Sequence, residues 1–141
     1  GERLAGYRGA LKRHGITFDP ALVAVAGYTA EGGAAAMRQL LAMRPTAVLG
    51  ATLVTAAGAM AVLHEAGLQI PQDVSVVGLH DAPVATMLYP QLTTVQMPTE
   101  RMGELAADLL IALVEGRTPD AVAPLPPDGM VIRSSTGPAS I

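Results

Sequence analysis

The sequence predicts an α/β protein: a doubly wound, mainly parallel sheet flanked by helices. Three observations predict it. Short apolar runs at 22–27, 46–51, 74–79 and 92–97 alternate with longer segments of helical periodicity. The runs are apolar on both faces rather than alternating, as in parallel strands covered above and below. Half the residues are apolar but only 3% are aromatic, so the core must be aliphatic and its helices must approach closely.

The elements follow in order. In GERLAGYRGALKRHG, Leu4, Tyr7 and Leu11 recur at helical spacing and Gly15 supplies a stop. The chain thus opens at the edge of a helix, without the charged, apolar and small-residue succession of a signal peptide, and reads as a piece of something larger. LVAVAG (22–27) is the first strand. TAEGGAAAMRQLLAM (29–43) is a helix, with Thr29 as N-cap, Glu31 at the positive end of the helix dipole, and Met37, Leu40 and Leu41 facing inward.

After Pro45 comes the strand TAVLGA (46–51), then the helix TLVTAAGAMAVLHEAG (52–67). Thr52 caps that helix, Ala56, Ala59, Met60 and Leu63 form its apolar stripe, and Gly67 closes it. VSVVGL (74–79) is a strand, followed by a loop over 80–91 and the strand LTTVQM (92–97). The longest periodic segment, 99–116, places Met102, Leu105, Leu109 and Leu113 on one face. A Pro-rich connection leads to a last strand at 129–135.

Composition excludes several function classes. At 141 residues the chain is long enough for one compact domain. With no cysteine it has neither disulfides nor thiolate metal ligands, which fits a reducing compartment. No apolar run reaches the roughly 18–20 residues that span a bilayer. A formal net charge of −3 argues against a phosphate-binding surface, so any DNA binding by a parent protein lies elsewhere. Neither glycine-rich phosphate loop occurs, His14, His64 and His80 lie on different elements, and no serine sits in a nucleophile elbow. These exclusions leave no catalytic residue, metal or cofactor to nominate.

The strand ends are more informative. In open α/β sheets, ligands gather at the carboxyl edge, where loops meet and helix N-termini point inward. Tyr28, Thr52, His80, Asp81 and Met97 each follow a predicted strand, and Arg3 begins a helix that would share that edge. Each has a plain alternative: Asp81 capping a turn, His80 a packed neutral imidazole, Arg3 a solvated cation, Tyr28 an edge aromatic, Thr52 a cap. Together they form a set suited to a small polar or polyhydroxylated ligand, with a ring to stack and polar groups for its hydroxyls.

The order ERLAGYRGAL, GYTAEGG, RPTAVLGATLVTAAGAM, LQIPQDVSVVGLHDAP, PQLTTVQMPTERMGELAADLL and IRSSTGP resembles the effector-binding domain of the lac repressor/galactose repressor family of bacterial transcription regulators. The resemblance covers the whole chain. It implies a cytoplasmic regulator in which a helix-turn-helix headpiece precedes a periplasmic-binding-protein-like body of two α/β subdomains, with a small effector, a sugar or other metabolite, in the cleft between them.

On that resemblance, residues 1–98 belong to the C-terminal subdomain, 99–128 form a helix and linker of the N-terminal subdomain, and 129–141 return as a strand. The headpiece, the first subdomain's core, and one helix and the first, central strand of the second subdomain are then absent. Helix 100–115 should fold onto its own sheet, exchange with a second copy, or be poorly ordered.

The family's effector contacts fall on Arg3, Tyr28 and Asp81. Thr52-Leu53 stands where most members carry Asn-Asp, His80-Asp81 where they carry Asp-Asp, and Met97 where the lac repressor carries glutamine. Losing an amide and a carboxylate forfeits charge-assisted hydrogen bonds worth about 1–3 kcal/mol each, which points to a sugar other than a galactoside, or to another metabolite. Homodimer contacts are implied at Ala56, Ala59, Met60 and Leu63 and in the loop at Met87, Leu88 and Tyr89, although core packing explains the helix stripe equally well. The rival readings are a periplasmic sugar-binding protein, marked by a signal peptide upstream, and an α/β hydrolase, for which no nucleophile is visible.

Overall fold

The computed structural model describes residues 1–119 and 121–138; Asp120 and residues 139–141 of the expected returning segment lie outside the described residues. The elements, in order, are α1 (Glu2–Arg13), α2 (Ala30–Leu40), β1 (Ala47–Gly50), α3 (Leu53–Glu65), β2 (Ser75–Leu79), β3 (Thr93–Gln96), α4 (Thr99–Val114) and β4 (Gly129–Val131). Short 3-10 turns occupy Pro20–Leu22, Leu41–Met43 and Pro83–Thr86.

The sheet runs β1-β2-β3-β4, with the first three strands parallel and β4 antiparallel. Parallel neighbours need a crossover between them, and α3 supplies the one from β1 to β2. α3 is apolar nearly all round because it lies between the sheet and α2. Met37 of α2, Leu63 of α3, Val76 of β2 and Leu92 meet in the core. Aliphatic side chains fill it throughout, as the composition required.

Small residues let α2 and α3 touch backbone to backbone. A Cβ added at Gly33 would lie 2.2 Å from the Thr55 carbonyl oxygen, and one at Gly58 would lie 2.0 Å from that of Ala30. Only hydrogen fits between the helices at these two points. Thr29 and Thr52 cap α2 and α3 as expected.

Three expectations need correction. LVAVAG is not a strand: residues 20–22 form a 3-10 turn, Val23 has extended dihedrals, and among the described residues no strand pairs with 23–26. A strand exists through its ladder, and here Val25 is 93% exposed instead. The last strand is shorter than 129–135, because beyond Val131 the chain leaves the ladder to make the side-chain contacts described below.

α4 neither folds onto the sheet nor loses its helical structure. Met102, Leu110, Ile111, Leu113 and Val114 are exposed, and Ala112 is the residue of α4 that is buried. It stands as a helix without packing on the sheet because its own backbone ladder needs no partner.

Candidate functional site

A cavity of about 940 Å³ runs along the free edge of β1. Thr46–Leu49 form one wall, Leu22–Ala24 another, and Leu4, Tyr7 and Leu11 of α1 close it from the side. Its lining is mainly apolar. At the carboxyl end of the strands it reaches Ala51, Leu79, His80, Met97 and Arg3. Of the six nominated residues, the structure therefore brings Arg3, His80 and Met97 to one space.

Tyr28, Thr52 and Asp81 do not line that cavity. Tyr28 is 73% exposed, on the turn that leads into α2. Thr52 is occupied by capping. Its Oγ1 accepts the Thr55 amide at 3.1 Å, while Thr55 Oγ1 accepts the Thr52 amide at 3.0 Å, a reciprocal box that satisfies two donors at the start of α3. Thr52→Ala is expected to cost about 1 kcal/mol through that cap, read as a fall in Tm of a few degrees.

Asp81 is also engaged. Its Oδ1 accepts Thr94 Oγ1 at 2.6 Å and an Arg133 guanidinium nitrogen at 2.7 Å. The same guanidinium nitrogen donates to the Leu92 carbonyl at 2.8 Å and to Thr94 Oγ1 at 3.0 Å. The side chains are only 12% exposed for Arg133 and 25% for Asp81. The guanidinium, the Thr94 hydroxyl and the Ala82 amide hold the Asp81 carboxyl below the ordinary carboxylate range, despite partial burial that acts the other way.

The neighbouring contacts extend this knot. The Arg133 amide donates to Thr93 Oγ1 at 2.9 Å, and Ser135 Oγ donates to the Val76 carbonyl at 2.6 Å while accepting the Thr93 amide at 2.8 Å. The chain after β4 is thereby bolted across β3 to β2. Sequence reasoning missed Arg133, Thr94 and Ser135. A lone cation closing the apolar run GMVIR was the available signal, since a buried arginine requires a carboxylate.

His80 presents the opposite case. It lies at the end of β2 with φ 70°, a left-handed conformation that costs a branched or ring-bearing residue about 1–3 kcal/mol. Its imidazole is partly buried, lines the cavity and takes part in none of the hydrogen bonds of the described residues. Both ring nitrogens thus stand open to a ligand.

The four helix-stripe residues Ala56, Ala59, Met60 and Leu63 are buried in the chain's own core. The stripe is internal packing rather than surface. Met87 and Tyr89 are exposed and Leu88 is partly buried against the core. Among the described residues no group of three or more metal-ligating side chains occurs, and no helix is long and apolar enough to cross a membrane.

A mainly parallel sheet with polar side chains gathered at a cavity on its carboxyl edge places the chain in the α/β class whose ligands gather at that edge. The chain belongs to the periplasmic binding protein-like domain family, whose model matches residues 1–136. Within it, the chain is a homologue of the effector-binding domains of LacI/GalR-family regulators.

It is 39% identical to the HTH-type transcriptional regulator CelR of Thermobifida fusca over 136 residues, covering 95% of this chain and 40% of that protein. It is 41% identical to the ribose operon repressor of Escherichia coli over 111 residues, covering 77% of this chain and 34% of the repressor. The solved structure of a CelR–cellobiose complex superposes with a TM-score of 0.89 at 39% identity, covering 95% of this chain and 42% of that one. The chain thus spans about two fifths of the length of these relatives.

Proposed function

We propose that this chain is the effector-sensing part of a non-enzymatic, cytoplasmic transcription regulator that binds a sugar or other small metabolite at the carboxyl edge of its sheet. The observation that carries this reading is the placement of His80, with a free imidazole, in one cavity with Arg3 and Met97. Tyr28, Thr52 and Asp81 belong to the rim of the same edge. Family membership supports the sensor role, and the relatives named above are regulators rather than transport proteins.

On this proposal the described residues are the C-terminal subdomain, with 99–128 lent to the N-terminal one. The apolar face of α4 then packs on that second subdomain, and the sheet's central strand fills the length of the trench along β1, leaving its carboxyl end, with Arg3, His80 and Met97, to the effector. A helix-turn-helix headpiece elsewhere in the regulator contacts operator DNA. Met87, Leu88 and Tyr89 contribute to a homodimer contact that passes effector-driven closure to the headpieces, a coupling of about 1–3 kcal/mol.

The test is calorimetric titration of the complete regulator with cellobiose and with ribose, the ligand and the operon in its relatives' names. One of the two is expected to bind, and Arg3→Ala to weaken it about tenfold through loss of a charged donor. Unchanged affinity in both Arg3→Ala and His80→Ala would remove the site from this edge.

A further inference from the structure

The knot of Asp81, Thr94 and Arg133 lies beside the cavity and lines none of it. We propose that this knot is a positioning device: it holds the left-handed turn at His80 and so fixes how the imidazole enters the cavity. Asp81 and Arg133 then act through His80. That the imidazole meets an effector rests on the reading above; that the knot orients it does not.

The strand register carries the argument. β2 and β3 pair as Val77 with Thr93, Gly78 with Thr94 and Leu79 with Val95, a constant offset of sixteen. Continued at that offset, position 81 would stand opposite position 97. Instead, the Asp81 carboxylate meets Thr94, which is Gly78's partner. The chain has therefore left the strand direction and turned toward β3, and the residue at the turn is His80, with φ 70°.

A positive φ at a non-glycine residue persists where the surroundings over-determine it. Asp81 supplies that restraint one residue later, held by the Thr94 hydroxyl and the Arg133 guanidinium. Arg133 is fixed in its turn through its own amide on Thr93 and its guanidinium on the Leu92 carbonyl. Among the described residues the imidazole has no hydrogen-bond partner, so its direction is set by this backbone and not by a side-chain partner.

The 141-residue chain has three histidines, two of them internal references. The measurement is the imidazole Cε1–H NMR signal of His14, His64 and His80, assigned by replacing each with glutamine. In Asp81→Asn, Thr94→Val and Arg133→Lys, the His80 signal is expected to shift and broaden while those of His14 and His64 hold still. Thr94→Ser, which restores the hydroxyl, should return it to the wild-type position.

Val62→Ala serves as the stability control, since it truncates the core away from the knot and lowers Tm. A His80 signal that stays put in folded Thr94→Val, or moves as far in Val62→Ala, overturns the proposal. Thr94→Val leaves the Asp81–Arg133 ion pair in place, so the test stands even where Asp81→Asn fails to fold. No ligand is used. An effector whose affinity is unchanged in both Arg3→Ala and His80→Ala therefore sinks the site reading alone, and an unmoved His80 sinks this inference alone.

Discussion

Gly58→Ala is expected to destabilise the protein by about 3 kcal/mol or more, lowering Tm by roughly 10 °C in a thermal melt. On propensity alone the opposite holds, because alanine in a helix interior is favoured over glycine by about 1 kcal/mol. Packing reverses the sign. The new Cβ would lie 2.0 Å from the Ala30 carbonyl oxygen and 2.8 Å from its carbon, and both are backbone atoms that no rotamer change can move. Relief requires α2 and α3 to separate by more than an ångström, which opens gaps around Met37 and Met60 in a core that is otherwise close-packed.

The control is Gly103→Ala in α4, where a Cβ meets nothing within 4 Å. There the propensity term acts alone, and a gain of about 0.5–1 kcal/mol is expected. The two identical chemical changes should thus move Tm in opposite directions. Equal and small effects of one sign in both would show that the helices do not approach as described.

Asp81→Ala is expected to cost about 2 kcal/mol at neutral pH. A solvent-exposed ion pair is worth at most about 1 kcal/mol, and breaking a fully buried one costs about 3–5. With side chains 12% and 25% exposed, the Arg133–Asp81 pair falls between, and the loss also strips Thr94 Oγ1 of its acceptor. Arg133 keeps the Leu92 carbonyl, which limits the damage.

The pH dependence follows from the direction of the shift. The Asp81 carboxyl titrates below its ordinary value of 3.8 in the folded chain, so folding releases a proton as the pH drops toward that range. Its stabilising contribution is complete above about pH 5 and fades as the pH falls through the folded value. Denaturant melts of wild type and Asp81→Asn should accordingly differ most near neutrality and converge in acid, as the pH falls through the lowered value of the folded carboxyl. A gap that widens in acid would contradict the Arg133 and Thr94 contacts as its cause.

Much of the fold was legible because it rests on local rules. Thr29 and Thr52 announced the starts of α2 and α3, Gly67 marked the end of α3, and the apolar runs at 46–51, 74–79 and 92–97 contain β1, β2 and β3. LVAVAG obeyed the same rules and is not a strand, because a ladder needs a partner that no local pattern supplies. The exposed apolar face of α4 shows the same limit. Its period predicts a helix but not what the helix lies against.

The site divides along the same line. By itself the sequence determined an α/β chain with an aliphatic core and polar groups just beyond its strands, since periodicity, capping and composition are carried by neighbouring residues. Which of those groups stay free was decided only in three dimensions. Asp81 and His80 are adjacent in the chain, yet a residue 52 positions beyond Asp81, Arg133, occupies the carboxylate and leaves the imidazole open. Hydrogen bonds between distant segments have no period to read, so the tertiary fold alone assigns one residue to the scaffold and the other to the cavity.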